Sequence, residues 1–534
     1  MGIVDMALFW VLLVNALLLV DASRNVPFAY QNELQKQCSS TKYTSLCVQT
    51  LREFRHDQSL QGLEFVSFLV NKTISDSNML VRPLSSTMGS SKLVYTLPSP
   101  SVSDTDSCER LMKMSTRRLR QAIEALNGSS RKRDSKHDIQ TWLSAAITFQ
   151  QACKDSILDS GGSSFAAISH ITQKMDHLSR LVSNSLAFVD TIIQPKPKSK
   201  SKSTVLPRWV SSGERRLLVD RARAHVVVAK DGSGDYRTIM EAVTATHVNG
   251  RFVIYVKRGV YKEKVRIEKD EITLIGEGKD RTVIVGDDSV AGGMSVPDTA
   301  TMTVTGDGFI ARDIGIKNTA GPRGQQAIAL SITSDRSVLY RCSISGYQDT
   351  LYAAALRQFY RECDIYGTID FIFGNAAAVF QSCNIFLRRP NDVKAYNVIL
   401  ANGRTDQRQN TGFALHSCHI RTDLDLSAVK HRYSSYLGRP WRKYSRSIVM
   451  ESYIDDVIAE EGWAGWLNSG DEVLKTLYFG EFKNYGPGAR VSKRVTWQGY
   501  HLIGFEEASY FSVGKFIDGV SWLPSTGINF ASGI

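Results

Sequence analysis

Two aspartates, Asp349 and Asp370, stand 21 positions apart, and so do the cysteines seven positions before them, Cys342 and Cys363. The surrounding text is one phrase written twice, C-S-I-S-G-Y-Q-D and then C-D-I-Y-G-T-I-D. If the chain coils with that period, the two carboxylates stack. Two stacked carboxylates resist double ionisation, so one pKa rises while the other stays low. That yields a general acid and a nucleophile from a single residue type; the plainer reading is Asp as a turn residue. Gln348, beside Asp349, and Gln326 in "QQAIAL" offer amide N–H groups to a developing oxyanion. Tyr347, Tyr352, Phe371 and Phe373 crowd the same stretch, with faces suited to sugar rings and with Phe371 expected to pack inward. In "LGRPW", Arg439 can keep a carboxylate ionised through a bidentate pair, and Trp441 follows it. Paired Asp with Gln donors fits acyl transfer. Two carboxylates alone also fit a glycosidase, whereas a lyase would want a carboxylate cluster for Ca²⁺.

These residues need a scaffold that repeats. "VLYRCSI", "QFYRECDI", "AVFQSCNI" and "FALHSCHI" each read as an apolar-led strand, then Cys, one residue, and Ile; "FIARDIGI" is a looser copy with Asp313 at the Cys place. A period near 20 residues with β-strand composition predicts a parallel β-helix, one turn per repeat. Turns stack about 4.8 Å apart, within the Cα range of a disulfide, so a Cys363–Cys383 bond is expected. The rival is a ladder of buried free thiols.

Before Val226 the texture is different. Apolar residues at three- and four-residue steps in "LEFVSFLVNKTI", "MKMSTRRLRQAIEALNG", "IQTWLSAAITFQQACKDSI" and "ISHITQKMDHLSRLVSNSLAFV" predict a helical bundle over 23–193. Four of the eight cysteines, Cys38, Cys47, Cys108 and Cys153, lie there and allow three connectivities. The pairing expected is Cys38 with Cys47, stapling a short helical hairpin, and Cys108 with Cys153, tying two helices. Residues 1–22 hold an apolar run, Ala7 to Val20, then small residues, and read as a signal peptide. No Lys or Arg precedes the run, which leaves a signal anchor as the alternative. Residues 194–224 form a Pro-, Lys- and Ser-rich linker that carries Arg215-Arg216-Leu217-Leu218, a dibasic site for proteolysis. The sequons at Asn71 and Asn127 accord with secretion. No pair of cysteines has C-x-x-C spacing, which speaks against a zinc site. A net charge of +12 suits an acidic polysaccharide, a membrane surface or nucleic acid, the last the poorest fit for a secreted chain.

Together the motifs resemble those of the plant pectin methylesterases: G-V-Y-K-E at 259–263, Q-A-I-A-L at 326–330, Y-Q-D-T-L at 347–351, D-F-I-F-G-N-A at 370–376 and L-G-R-P-W at 437–441. The likeness runs from about 225 to 534. The early half resembles the pectin methylesterase inhibitor domain that precedes many such enzymes. The resemblance implies an N-terminal all-α four-helix bundle, with the cysteine pairing given above, and a C-terminal all-β right-handed parallel β-helix. It implies a pectinesterase acting in the cell wall, with pectin as partner, processing by a subtilisin-like protease, a proteinaceous inhibitor as a further partner, and no metal, cofactor, nucleic acid or membrane. By the same likeness Asp370 is the nucleophile, Asp349 the proton donor and acceptor, and Gln348 and Gln326 stabilise the oxyanion. Arg439 orients Asp370, and Arg439, Gln326, Tyr352, Phe373, Trp441, Trp463 and Thr301 contact substrate. Two departures bear on substrate preference. "SVPDTATMTV" stands where the family usually has Thr-Phe before its Ala-Thr, and "LYAAALRQF" lacks the polar residues common after Tyr352. A rival from another class is a non-catalytic wall-binding or inhibitory protein in which the coil is only a platform.

Overall fold

A computed structural model describes residues 28–53, 62–86, 102–128, 136–159, 165–192, 224–246, 250–391, 395–466 and 470–534. The chain divides into two compact units, Met1–Lys196 and Pro197–Ile534. The segment read as a signal peptide, and Arg215 and Arg216, lie outside the described residues. Among the described residues no helix is long and apolar enough to cross a membrane.

The first unit contains helices α1 (Phe28–Cys38), α2 (Thr44–Arg52), α3 (Gly62–Ser86), α4 (Val102–Leu126), α5 (Lys136–Asp159) and α6 (Phe165–Ile192). The last four are the apolar-periodic segments. Each packs on its sequence neighbour and α6 closes on α3, which makes a four-helix bundle. Leu69, Leu119, Leu143 and Phe188, one from each helix, are buried in it. Cys38 bonds to Cys47, linking α1 to α2, and Cys108 to Cys153, linking α4 to α5. The buried Asn184 of α6 accepts from the Tyr43 amide at 3.2 Å and donates to the Tyr43 carbonyl at 3.0 Å, fastening the hairpin to the bundle. Of the two sequons, Asn127 is exposed in the turn that ends α4. Asn71 instead sits inside α3, with Thr73 buried and its hydroxyl donated to the Leu69 carbonyl at 2.8 Å. A helix offers that sequon no extended segment, so only Asn127 has the surface-loop setting that the sequon reading assumes.

In the second unit three parallel sheets, of eleven, eight and seven strands, run along one coil. The central turns contribute a short strand to each sheet, and the terminal ones extend the eleven-stranded sheet alone. The isoleucines two places after the Cys position, Ile316, Ile344, Ile365, Ile385, Ile420 and Ile454, stack in register and are fully buried. Each such burial stabilises the coil by about 1.5–3 kcal/mol before conformational entropy is counted. In five successive turns one corner is made by a residue in the left-handed region: Asp313, Arg341, Glu362, Ser382 and Ser417 have φ between 52° and 57°. The next residue then points inward. This geometry corrects the register of the looser repeat. Tyr340 pairs with Arg312 and Ser343 with Gly315, so Ile314, not Asp313, holds the Cys place.

The expected Cys363–Cys383 disulfide is not formed: Cys342, Cys363, Cys383 and Cys418 are buried free thiols. Stacking brings the Cα atoms into range, but equivalent side chains on successive turns point the same way. Their Cβ atoms therefore keep the turn spacing of about 4.8 Å, where a disulfide needs about 3.8 Å. Three of the thiols turn instead to a main-chain carbonyl of the preceding turn, Cys363 Sγ to Leu339 at 3.4 Å, Cys383 Sγ to Tyr360 at 3.5 Å and Cys418 Sγ to Phe380 at 3.2 Å, while Cys342 Sγ donates to the Tyr340 carbonyl of its own turn at 3.5 Å. Burial pushes the thiols of Cys342, Cys363 and Cys383 well above the usual range, which makes them unreactive. Thiol titration is expected to find no reactive cysteine in the native protein and all four of these after unfolding without reductant. Only two after unfolding would restore the disulfide.

Candidate active site

The seven-stranded sheet consists of β1 (Val265–Ile267), β2 (Met302–Val304), β3 (Leu330–Ile332), β4 (Leu351–Ala353), β5 (Ile372–Gly374), β6 (Asn397–Asn402) and β7 (Ser435–Pro440). Alternation along β4 sends Leu351 and Ala353 into the coil and leaves Tyr352 half-buried on the outer face. In register with it, Thr303, Ser331, Tyr352, Phe373, Ala401 and Arg439 form one outward row across six turns. Tyr352 and Phe373 stack with ring centroids 4.5 Å apart, and Trp441 meets Phe373 edge-on at 6.1 Å. Ala300, Ile328 and Ala401 pack with these rings. The result is an aromatic floor, as a sugar-binding cleft requires.

Asp349 and Asp370 enter just ahead of β4 and β5, one turn apart, with φ of 60° and 51°. The glycine of the repeated phrase makes that corner possible. A Cβ on Gly367 would fall 2.1 Å from that of Phe371, and one on Gly346 would fall 2.8 Å from Thr350 Oγ1. The backbone therefore folds tightly against the residue after each Asp, and both carboxylates leave the coil at the same corner. Gln326 joins the stack from the preceding turn, paired in parallel with Gln348. The Ala327 amide donates to the Gln348 carbonyl at 3.2 Å, and the Asp349 amide to the Ile369 carbonyl at 3.0 Å.

Arg439 grips Asp370 with a fork. Nε donates to Oδ1 at 2.8 Å and Nη2 donates to Oδ2. Both side chains are largely buried, at 11% and 9% exposure, so solvent screens the pair little. Burial pushes Asp370 above the usual carboxylate range, and the fork pulls it back. Asp349 stands well above that range. Burial is the main cause and the neighbouring Asp370 charge the second, with Arg439 opposing both. Asp349 therefore keeps its proton to higher pH than Asp370 does. The pair has the asymmetry that suits one carboxyl to give a proton and the other to ionise more readily.

Five expected residues, Asp349, Asp370, Gln348, Gln326 and Arg439, thus come together with Tyr352, Phe373 and Trp441. Two others do not. Trp463 is 1% exposed, stacked on Phe479 at 4.4 Å, with Nε1 donating to Glu481 Oε1 at 3.1 Å. It is a core residue of the coil with no face for substrate. Thr301 is buried, and its hydroxyl donates to the Lys317 carbonyl at 3.1 Å. The outward place on that strand belongs to Thr303. Two residues not anticipated from the sequence do reach the site. Trp466 lays its ring 4.1 Å from the Arg439 guanidinium, and the Tyr396 hydroxyl accepts from Arg439 Nη1 at 2.8 Å. Both lie between repeats; Trp466 stands in the Trp-rich stretch "GWAGW" at 462–466, which was a signal for it, whereas "KAYNV" around Tyr396 carries none.

Comparison with known proteins agrees with this geometry. The family profile described as Pectinesterase matches residues 225–520, and that described as Plant invertase/pectin methylesterase inhibitor matches residues 32–188. The chain is 81% identical over 523 residues to probable pectinesterase/pectinesterase inhibitor 54 of Arabidopsis thaliana, with 96% of each chain covered. It is 44% identical over 432 residues to pectinesterase 2 of Citrus sinensis, covering 80% of this chain and 81% of that one. Among solved structures, pectin methylesterase from carrot matches with 46% identity and a TM-score of 0.57, over 58% of this chain and 98% of its own.

Proposed function

The chain belongs to the pectinesterase family and is a pectin methylesterase, and from that premise we propose that Asp370, Asp349, Gln348, Gln326 and Arg439 carry out its reaction. A methylated galacturonate lies on the aromatic floor, its ester carbonyl against Asp370. An Asp370 carboxylate oxygen attacks the carbonyl carbon, and the Gln348 and Gln326 amides donate to the oxyanion that forms. Collapse breaks the bond to the methoxy oxygen, which takes the proton of Asp349 and leaves as methanol. The acyl group now sits on Asp370 as an anhydride. Asp349, now ionised, removes a proton from water; the hydroxide adds to the acyl carbon, frees the galacturonate carboxylate and restores Asp370. Arg439 holds the nucleophile in place and favours its ionised form before the attack and after the acyl group has left. The observation that carries this reading is the forked Arg439–Asp370 pair with a protonated-prone Asp349 one turn away. Methanol release from methylated pectin by the processed protein tests it. Binding of pectin without release would favour the platform reading.

The same proposal covers the chain's itinerary. The protein is secreted to the cell wall, and the linker is cut at Arg215-Arg216-Leu217-Leu218 by a subtilisin-like protease, so that the mature enzyme starts near Leu217 to Val219. The helical unit keeps the enzyme silent, or assists its folding, until then. A separate proteinaceous inhibitor is a further partner. Of the two sequons, Asn127 is the one assigned a glycan. Changing both Arg215 and Arg216 to Ala is expected to leave uncut precursor inside the cell, seen as a band of full size on a blot. Export of cut enzyme by that variant would sink the processing site.

A further inference from the structure

We infer that Tyr396 is a positioning residue for the esterase reaction: its phenol oxygen fixes the Arg439 guanidinium, which in turn fixes the attacking carboxylate of Asp370. The inference rests on the reading of Asp370 as nucleophile given above.

The guanidinium is held on every edge. Nε and Nη2 go to the two oxygens of Asp370, and Nη1 donates to the Tyr396 hydroxyl at 2.8 Å. The Trp466 ring covers the group at 4.1 Å. Tyr396 is itself well placed to act as an anchor. It directly precedes β6, whose register with β7 pairs Asn397 with Ser435 and Val398 with Tyr436. Its ring meets Tyr436 edge-on, with centroids 5.7 Å apart and planes at 86°. The phenol oxygen is thus set by the same sheet that sets Arg439. Without it, Nη1 loses its acceptor and the guanidinium can pivot about its two bonds to Asp370.

That freedom matters because the attacking oxygen must lie within about 3–3.5 Å of the ester carbon, and a misplacement of about 1 Å can lower the rate about a hundredfold. A planar fork transmits position only while its third edge is also held. Substrate is held on Tyr352, Phe373 and Trp441, whose ring contacts with one another do not involve Tyr396. Loss of the anchor therefore falls on the chemical step and not on binding.

Tyr396→Phe in the processed protein tests this, since it keeps the ring against Tyr436 and removes only the oxygen. The kcat for methanol release is expected to fall about tenfold, the loss of one hydrogen bond to a charged group. KM for pectin should stay within about twofold, with the melting temperature unchanged. The acidic limb of the pH–rate profile should move upward, because a loosened guanidinium favours the Asp370 charge less. In an Arg439→Lys background the same substitution should add no further loss, since an ammonium has no third edge to anchor. A Tyr396→Phe enzyme with wild-type kcat and pH profile would overturn the inference, and so would additive losses in the double variant. Wild-type release by Asp370→Asn would overturn the nucleophile assignment and the inference with it. An inactive Asp370→Asn beside an unaffected Tyr396→Phe would overturn the inference alone.

Discussion

Asp370→Asn is expected to lower kcat for methanol release by about three to four orders of magnitude, with the coil intact. The substitution keeps the volume and removes the attacking oxygen's charge. An amide cannot accept from both arms of the Arg439 fork, because its nitrogen turns a donor toward a donor. The variant thus loses the nucleophile and the lock on its orientation together. Little else in the site changes: Tyr352, Phe373 and Trp441 keep their stacking, which does not involve Asp370. Pectin should accordingly bind with near-normal KM. A variant within tenfold of the wild-type rate would mean that another group attacks the ester, and Asp349 would be the first to examine.

The period was the part of the site most legible from the sequence. A coil repeats its geometry each turn, so identical residues at identical offsets had to stack. Asp349, Asp370 and the glycines before them were readable on that ground alone. Side-chain direction was not. The spacing of Cys363 and Cys383 gives a Cα separation, while a disulfide depends on whether the Cβ atoms converge, and parallel stacking forbids that. Register was lost by one residue at Asp313, where the chain turns through the left-handed region and alternation no longer says which residue faces in. Trp463 and Thr301 failed for a similar reason. Each stands at or beyond a strand end, where inward and outward cannot be counted from the pattern. Tyr396 and Trp466 belong to the irregular segments between turns, which the repeat does not constrain, yet both side chains reach Arg439. The helical unit was simpler. Its four segments carry helical periodicity over their whole length, and each disulfide joins neighbouring helices.

Asp349→Asn is expected to separate activity from stability. The variant cannot give a proton to methoxide or take one from water, and the rate should fall about a hundred- to ten-thousandfold. The fold, however, should gain. Burial and the Asp370 charge hold the Asp349 pKa above its unfolded value, so ionising it works against the native state. The sign follows directly. Below the unfolded pKa of about 4 the group is neutral in both states and contributes no penalty. As pH rises from there toward the folded pKa, the unfolded chain releases the proton first and stability drains away. Asn carries no such proton. Its melting temperature should therefore match the wild type near pH 3 and exceed it by several degrees at neutral pH, as thermal scans across that range would measure. Equal melting temperatures at pH 7 would mean that Asp349 is not destabilised by its surroundings, and its assignment as the proton donor would lose its physical basis. A gain at neutral pH would show the opposing demands on this corner of the coil. The tight turn that places two carboxylates one above the other also makes one of them reluctant to ionise, and that reluctance makes it a proton donor at pH values where an ordinary aspartate has none to give.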